Sequence, residues 1–118
     1  MAIQRVVPDF TSADPAASAG FYSDVLGFEL AMDMGWIATF VSPSHPTAQV
    51  TVMSKDATAP VNPDASIEVD DVDEIYAKAR AGGFEIVHPL TDEPWGVRRF
   101  FVRDPNGMII NVMSHLDG

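Results

Sequence analysis

The sequence contains no cysteine. Disulfide bonds, thiolate metal sites and cysteine nucleophiles are therefore excluded. Basic residues are also scarce, because seven Lys and Arg stand against seventeen Asp and Glu and give a formal net charge of −10. Since nucleic-acid binding depends on Lys and Arg that neutralise phosphates, this charge argues against nucleic acid and anionic membranes as partners. It favours cationic ligands, although acidity also simply keeps a protein soluble.

Long hydrophobic runs are missing as well. No apolar stretch of the chain approaches the roughly 20 residues that a membrane-spanning helix needs. No signal peptide is recognisable at the start of the sequence, so we expect a cytoplasmic protein. There is also no Gly-x-Ser-x-Gly elbow and no glycine-rich phosphate loop. What remains is a chain of 118 residues, 47% of them hydrophobic, which is enough for one globular domain.

Residues 93–115 predict a β-hairpin around which the chain is organised. Two runs rich in Val, Ile and Phe flank the turn sequence Asp104-Pro105-Asn106-Gly107, in which Gly107 can adopt the positive φ that closes a three-residue loop. If Asp104 pairs with Met108, one face carries four apolar residues: Phe100, Val102, Ile110 and Val112. The other face carries Arg99, Phe101, Asn111 and Met113. We expect the first face to pack on helices and the second to line a cavity.

An internal repeat extends this organisation to the whole chain. Hydrophobic patterns and turn residues predict further strands at 3–10, 28–32, 36–41, 49–53, 65–69 and 84–87, with helices at 16–26 and 72–81. Phe21-Tyr22 and Gly27-Phe28 are echoed by Ile75-Tyr76 and Gly83-Phe84. Each half therefore has the order strand, helix, strand, strand, strand. We expect a single domain over 1–118, built from repeats at about 1–55 and 64–118 with a linker at 56–63.

Several motifs together resemble the vicinal oxygen chelate superfamily, the group of glyoxalase I, bleomycin-resistance proteins and extradiol dioxygenases. They are Asp14, Ser18, Phe21-Tyr22, Val25-Leu26-Gly27-Phe28, Val69-Asp70-Asp71-Val72-Asp73, Gly82-Gly83-Phe84, Pro94-Trp95-Gly96 and Asp104-Pro105-Asn106-Gly107. The resemblance implies an α+β fold in which two βαβββ modules form a curved mixed sheet, with helices outside and a cleft inside. It also implies a homodimer and, in the enzymes, a divalent metal in the cleft.

The metal-ligand positions of the family fall on residues that ligate poorly. By the spacing of the family's motifs they are Val7, Thr51, Asp64 and Asn111. Val cannot ligate, and Thr and Asn are poor ligands for zinc, iron, nickel or manganese compared with imidazole or carboxylate. We expect no metal and no other cofactor. The three histidines, His45, His88 and His115, lie outside the aligned cleft positions and are expected at the surface.

The predicted cleft is apolar and aromatic with a few polar groups, as is usual for a small-molecule site. Aligning Gly35-Trp36 with Gly96-Val97 directs Trp36 and Phe40 into it. The full set of predicted ligand-binding residues is Trp36, Phe40, Thr51, Met53, Asp64, Glu68, Arg99, Phe101, Asn111 and Met113. Arg99 has a second interpretation, in which it pairs with Asp64 or Glu68 and stabilises the sheet. Trp36 and Phe40 can equally fill space between the modules.

Three functions are compatible with this pattern. The first is a metal-free protein of the bleomycin-resistance type that sequesters a small cationic or aromatic compound, with stacking or cation–π contacts supplying affinity. The second is a lyase, isomerase or dioxygenase, either metal-dependent or using Asp64 or Glu68 as general base. The third is an interaction module that retains the fold without the cleft. Whether the protein is an enzyme stays open, and the ligand positions favour binding without catalysis.

Overall fold

The computed structural model describes residues 2–116 of the chain. The elements follow in the order β1 (Ile3–Thr11), a 3-10 helix (Pro15–Ser18), α1 (Ala19–Tyr22), β2 (Glu29–Asp33), β3 (Ile37–Val41), β4 (Gln49–Met53), β5 (Ala65–Val69), α2 (Val72–Ala81), β6 (Ile86–Glu93), β7 (Val97–Arg103) and β8 (Ile109–His115). The chain divides into two compact units. We call Val6–Asn62 the N-terminal unit, and the residues up to Arg5 together with those from Pro63 onward the C-terminal unit.

Each unit repeats the same strand order. In the N-terminal unit the neighbours run β2-β3-β4-β1, with β1 parallel to β4 and the other pairs antiparallel. In the C-terminal unit they run β6-β7-β8-β5, with β5 parallel to β8 and the other pairs antiparallel. The connection between the first and second strand of each unit contains the helix. The predicted α+β class with two βαβββ modules and a mixed sheet is therefore confirmed.

The C-terminal unit builds its core between α2 and one face of its strands. Asp71 caps the helix by accepting a hydrogen bond from the Glu74 backbone N–H, and acidic residues in the first turn suit the helix dipole. Buried Phe100 and Val112 pack with Val69 and Val72, and the ring of Tyr76 lies 4.9 Å from that of Phe100. The prediction that the Phe100 and Val112 face packs on a helix is confirmed.

The first helical segment is shorter than predicted. Regular α-helix covers only Ala19–Tyr22, after the 3-10 helix, and turns continue to Gly27 at φ +86°. Ser18, Gly20 and Ser23 are weak helix formers, which explains why the periodic apolar pattern alone does not produce three regular turns. Among residues 2–116, no helix combines the length and the apolar character needed to cross a membrane.

The predicted β-hairpin is present with the predicted register. Asp104 N donates to Met108 O over 2.8 Å, and Gly107 has φ +88°. Asp104 Oδ1 also accepts hydrogen bonds from the backbone N–H groups of Asn106 and Met108. Phe101 therefore faces Asn111, and Arg99 faces Met113. A positive φ is the conformation that glycine adopts without strain, so local turn chemistry fixes this register.

Candidate functional site

The strands of the C-terminal unit bring a mixed aromatic and polar set of side chains to the face opposite α2. Strand register forms two rows across the sheet. The first row is Ser66, Asn111, Phe101 and His88, and the second is Glu68, Met113, Arg99 and Thr91. We call the surface defined by these eight residues, together with Glu93 and Trp95 that contact Arg99, the helix-distal face. Four of the predicted site residues on it are buried: Arg99, Phe101, Asn111 and Met113.

A buried ion pair lies at one end of this face. Arg99 Nε donates to Glu93 Oε2 over 2.7 Å, and Arg99 Nη2 lies 2.5 Å from the same oxygen. Both side chains are 5% exposed, and buried charges persist in proteins when they are paired in this way. The carboxylate that pairs with Arg99 is thus Glu93, which the sequence prediction did not include. Glu93 pairs with Val97, which precedes Arg99 by two residues on the neighbouring strand, so Glu93 and Arg99 lie on the same face of the sheet.

Two aromatic rings enclose the Arg99 guanidinium. Its Cζ atom lies 4.9 Å from the centroid of the Trp95 ring and 4.8 Å from that of Phe101. These distances are within cation–π range. Trp95 is 43% exposed, whereas Phe101 is fully buried. This part of the helix-distal face therefore accommodates a planar cation between two rings and beside a carboxylate.

The first row contains two buried polar atoms without a hydrogen-bond partner in the part of the chain that the structure describes, His88 Nε2 and Asn111 Oδ1. The amide nitrogen of Asn111 donates to Ser66 Oγ over 3.0 Å, so only one end of this amide is satisfied. His88 Nε2 lies 3.6 Å from Glu93 Oε2, which is beyond hydrogen-bond distance. His88 is 8% exposed, and the prediction that it lies at the surface is wrong.

The physical reason for this error is the boundary of the strand. The predicted strand at 84–87 ends before His88 and Pro89, whereas β6 continues from Ile86 to Glu93, with register shifts on both sides of His88. The His88 ring lies 5.2 Å from the Phe101 ring and belongs to the helix-distal face. His45 is exposed as predicted, and His115 is exposed at the end of β8.

Glu68 forms a second charged cluster on the same face. Its Oε1 accepts from Arg5 Nε over 2.6 Å, and its Oε2 lies 2.7 Å from His115 Nδ1. Burial raises the pKa of the Glu68 carboxyl, but the hydrogen bonds and charges of His115 and Arg5 outweigh it and hold the pKa below its usual value. A general base works best with a pKa near the operating pH, so this arrangement disfavours Glu68 in that role.

Asp64 is exposed and closes the start of β5 against β8. Its Oδ2 accepts from the Ile109 backbone N–H over 2.8 Å, and its own backbone N–H donates to Ile109 O over 2.8 Å. The side chain thus has a structural partner at the sheet edge. Its predicted role in ligand binding stays a prediction.

The predicted site residues of the N-terminal unit do not share one face. Thr51 faces Thr39, with the two hydroxyl oxygens 3.3 Å apart, and lies beside buried Asp9 in the register of β1 and β4. Phe40 lies on the other face, packed with Ala38 and Val52, and its ring stacks on Tyr22 at 5.3 Å. The prediction that Phe40 points into the cavity is therefore wrong.

The error in Phe40 comes from an alignment that is shifted by one residue. Because side chains alternate along a strand, a shift of one moves every side chain to the opposite face. Of the remaining predictions in this unit, Met53 is buried at the end of β4, and Trp36 is half-buried just before β3. Their binding roles stay predictions.

The residues at the family's metal positions do not fit a divalent metal. Val7 is a buried aliphatic side chain, Thr51 is paired with Thr39, and Asp64 is engaged by Ile109. Among residues 2–116, no group of three or more His, Cys, Asp or Glu side chains has the arrangement of a metal site. A hydroxyl, an amide and one carboxylate form a weak donor set for the metals of this superfamily.

Comparison with known families identifies the class of protein. The model of the glyoxalase/bleomycin resistance protein/dioxygenase superfamily matches residues 3–112, and the chain therefore belongs to this superfamily. A search among curated proteins finds no match.

Solved structures show the same fold. A glyoxalase/bleomycin resistance protein/dioxygenase superfamily member from Vibrio splendidus has a TM-score of 0.72 at 21% identity, covering 96% of this chain and 99% of its own. A methylmalonyl-CoA epimerase from Mycobacterium tuberculosis has a TM-score of 0.70 at 17% sequence identity, and the match covers 98% of this chain and 88% of the epimerase chain. An NAD-dependent benzaldehyde dehydrogenase from Legionella pneumophila has a TM-score of 0.75 at 20% sequence identity, and the match covers 93% of this chain and 98% of the dehydrogenase chain. At these identities the likeness concerns the fold alone.

Proposed function

We propose that this protein binds a small aromatic compound without the help of a metal, and that it sequesters the compound rather than converting it. The observation that carries the proposal is the helix-distal face of the C-terminal unit. There, two aromatic rings enclose the guanidinium of the buried Arg99–Glu93 pair. Within the described residues, the buried atoms His88 Nε2 and Asn111 Oδ1 have no hydrogen-bond partner. Apolar surroundings with a few fixed polar groups are the usual composition of a small-molecule site.

The charge of the protein supports a cationic aromatic ligand. The formal net charge is −10, and both Glu68 and Glu93 contribute to the helix-distal face. The guanidinium of Arg99 demonstrates which chemistry Trp95 and Phe101 can enclose, namely a flat cation. A ligand of that kind would stack on the exposed part of the Trp95 ring.

The enzyme alternative has less support from the residues. The donor set at the metal positions is weak, which disfavours metal-dependent lyase, isomerase or dioxygenase chemistry. The carboxylate of Glu68 is engaged by two partners and has a lowered pKa, which disfavours metal-free proton abstraction. We therefore propose binding alone.

Calorimetric titration with bleomycin and with ethidium, each in the presence of EDTA, tests the proposal. We expect saturable binding of at least one of them with one ligand per chain. Trp95→Ala should weaken that binding about tenfold, the loss expected for one aromatic contact of about 1.4 kcal/mol. Phe84→Ala is the matched control, because Phe84 is a similarly exposed aromatic residue outside the helix-distal face.

The proposal would be contradicted if neither compound bound, or if EDTA abolished binding and a divalent metal restored it. Equal losses in Trp95→Ala and Phe84→Ala would move the site away from the helix-distal face. Circular dichroism of each variant checks that the fold is intact.

A further inference from the structure

We propose that Asn111 and His88 form a hydrogen-bonding subsite that selects ligands with a planar N–H donor group, such as an amide, an amidine or an aminoheterocycle. This inference rests on the proposed function and adds the chemical class of the polar group that the ligand carries. It starts from the two unpartnered polar atoms of the first row, Asn111 Oδ1 and His88 Nε2.

The burial of these atoms distinguishes them from ordinary surface polar groups. Asn111 is 6% exposed and His88 is 8% exposed. A buried polar atom without a hydrogen bond destabilises the folded protein by about 1–3 kcal/mol. Native structures contain few such atoms, and each one calls for a specific explanation. Two of them in one cross-strand row are explained together by a ligand that supplies both missing partners.

The spacing of the two atoms suits a single ring. Asn111 faces Phe101 on β7, and Phe101 faces His88 on β6, so the two polar residues are two strands apart. Neighbouring strands are about 4.8 Å apart, which separates Asn111 and His88 by about 10 Å across the Phe101 ring. One six-membered ring with hydrogen-bonding groups at both ends spans this distance.

The chemistry of the two atoms sets the polarity of the ligand. The Asn111 carbonyl oxygen accepts hydrogen bonds only, and a neutral imidazole offers one acceptor nitrogen. A group with N–H donors therefore complements them, whereas a carboxylate offers only acceptors.

The second row supplies the means of entry. Met113 follows Asn111 along β8 on the same face. Its side chain is long and adapts its conformation at low cost. A ligand therefore reaches the row by displacing Met113, and the Arg99–Glu93 ion pair stays in place.

Three probes of one shape test the selection. They are para-aminobenzamidine, para-aminobenzamide and para-aminobenzoate, which share the ring and the amino group and differ only in the head group. We expect the amidine and the amide to bind by calorimetry, and the carboxylate to bind at least about tenfold more weakly. Equal or tighter binding of para-aminobenzoate would overturn the inference, because it would assign ligand selection to Arg99 as an anion partner.

Asn111→Leu separates a binding role from a structural one. We expect this variant to bind the amide and the amidine about tenfold more weakly. Its thermal midpoint should change little, since the loss of the hydrogen bond to Ser66 offsets the removal of the unpaired carbonyl oxygen. Thr39→Val is the control, because Thr39 lies on a strand of the N-terminal unit and its hydroxyl group has a partner there. It should leave the binding of these probes unchanged.

His88→Phe provides a second variant that retains an aromatic ring beside Phe101 and removes the unpartnered nitrogen. It should also weaken amidine binding. If Asn111→Leu and His88→Phe lower the thermal midpoint and leave probe binding unchanged, both residues are structural and the inference is wrong. The proposed function is tested independently of this result, because it depends on the binding of bleomycin or ethidium and not on the binding of these three probes. Absence of binding by all three probes also overturns the inference.

Discussion

The two units of this chain have the same strand order, but they differ in the hydrogen bonding of the polar side chains on the sheet face opposite their helices. In the N-terminal unit, the equivalent strands pair Thr51 with Thr39 through their hydroxyl groups. In the C-terminal unit, the corresponding pair is Asn111 and Phe101, and the Asn111 carbonyl oxygen has no partner among the described residues. At this strand position, the N-terminal unit pairs two hydroxyl groups with each other, whereas the C-terminal unit leaves a carbonyl oxygen that can accept a hydrogen bond from a ligand.

The difference extends to buried charge. The C-terminal unit contains the Arg99–Glu93 pair, with both side chains 5% exposed. The corresponding strands of the N-terminal unit are β2 and β3, where the charged residues Glu29 and Asp33 of β2 are exposed and β3 carries no charged residue. Buried polar residues thus occur in both copies, including Asp9 and Thr51 in the N-terminal unit, whereas the ion pair between two buried side chains described above lies in the C-terminal copy. The predictions below test this division, beginning with the largest expected effect.

The two helix-packed cores should be equally sensitive to truncation. Phe40→Ala and Phe100→Ala each remove a fully buried ring that packs against a tyrosine, Tyr22 and Tyr76 respectively. We expect each to lower the free energy of unfolding by about 3–5 kcal/mol in urea titrations. Phe84→Ala, which truncates an exposed ring, should have a much smaller effect. A small effect of Phe40→Ala would restore the sequence-based assignment of Phe40 to a cavity.

The buried ion pair should matter more than the exposed pairs beside it. Glu93→Gln keeps a hydrogen-bond acceptor for Arg99 and removes the charge, so we expect a loss of about 1.5–3 kcal/mol in the free energy of unfolding. Asp92→Asn is the control, since Asp92 pairs with Arg98 at the surface, where ion pairs contribute little. Similar losses in the two variants would contradict the assignment of buried charge to the helix-distal face.

Glu68 should produce a pH dependence of stability. Its pKa is lower in the folded protein than in the unfolded chain, so its stabilising contribution is complete above the unfolded pKa. That contribution disappears as the pH falls through the folded pKa. The gap in thermal midpoint between the wild-type protein and Glu68→Gln should be largest above about pH 5 and should shrink towards pH 3. A gap that does not change with pH would show that Glu68 stabilises the protein by packing alone.

Much of the fold is predictable because its determinants are local. The strands at 49–53 and 65–69 and the helix at 72–81 coincide with the observed β4, β5 and α2. The hairpin register follows from Asp104, Pro105 and Gly107, whose conformations depend on their own backbone and nearest neighbours. Helix α1 is the exception, because the apolar periodicity continues past Tyr22 while Ser18, Gly20 and Ser23 favour regular helix only weakly.

The candidate site is less predictable. Arg99, Phe101, Asn111 and Met113 share a face as their alternation along two strands predicts. His88 was missed because the predicted strand at 84–87 ends before it, whereas β6 extends from Ile86 to Glu93. Glu93 was missed because its position beside Arg99 depends on how β6 pairs with β7. Phe40 was assigned to the wrong face because an alignment between repeats gives no information on which side of a strand the core lies.

The sequence by itself determines the chemistry that is available to this protein: no thiol, an acidic surplus, poor metal ligands at the family's positions, and a hairpin of fixed register. It also determines the family, since the model match covers residues 3–112. Only the tertiary structure decides that Arg99 pairs with Glu93 between two rings and that, among residues 2–116, Asn111 Oδ1 and His88 Nε2 are buried without a hydrogen-bond partner. The reason is that turns and helices form from neighbouring residues, whereas burial and ion pairing depend on strands that meet through long-range pairing.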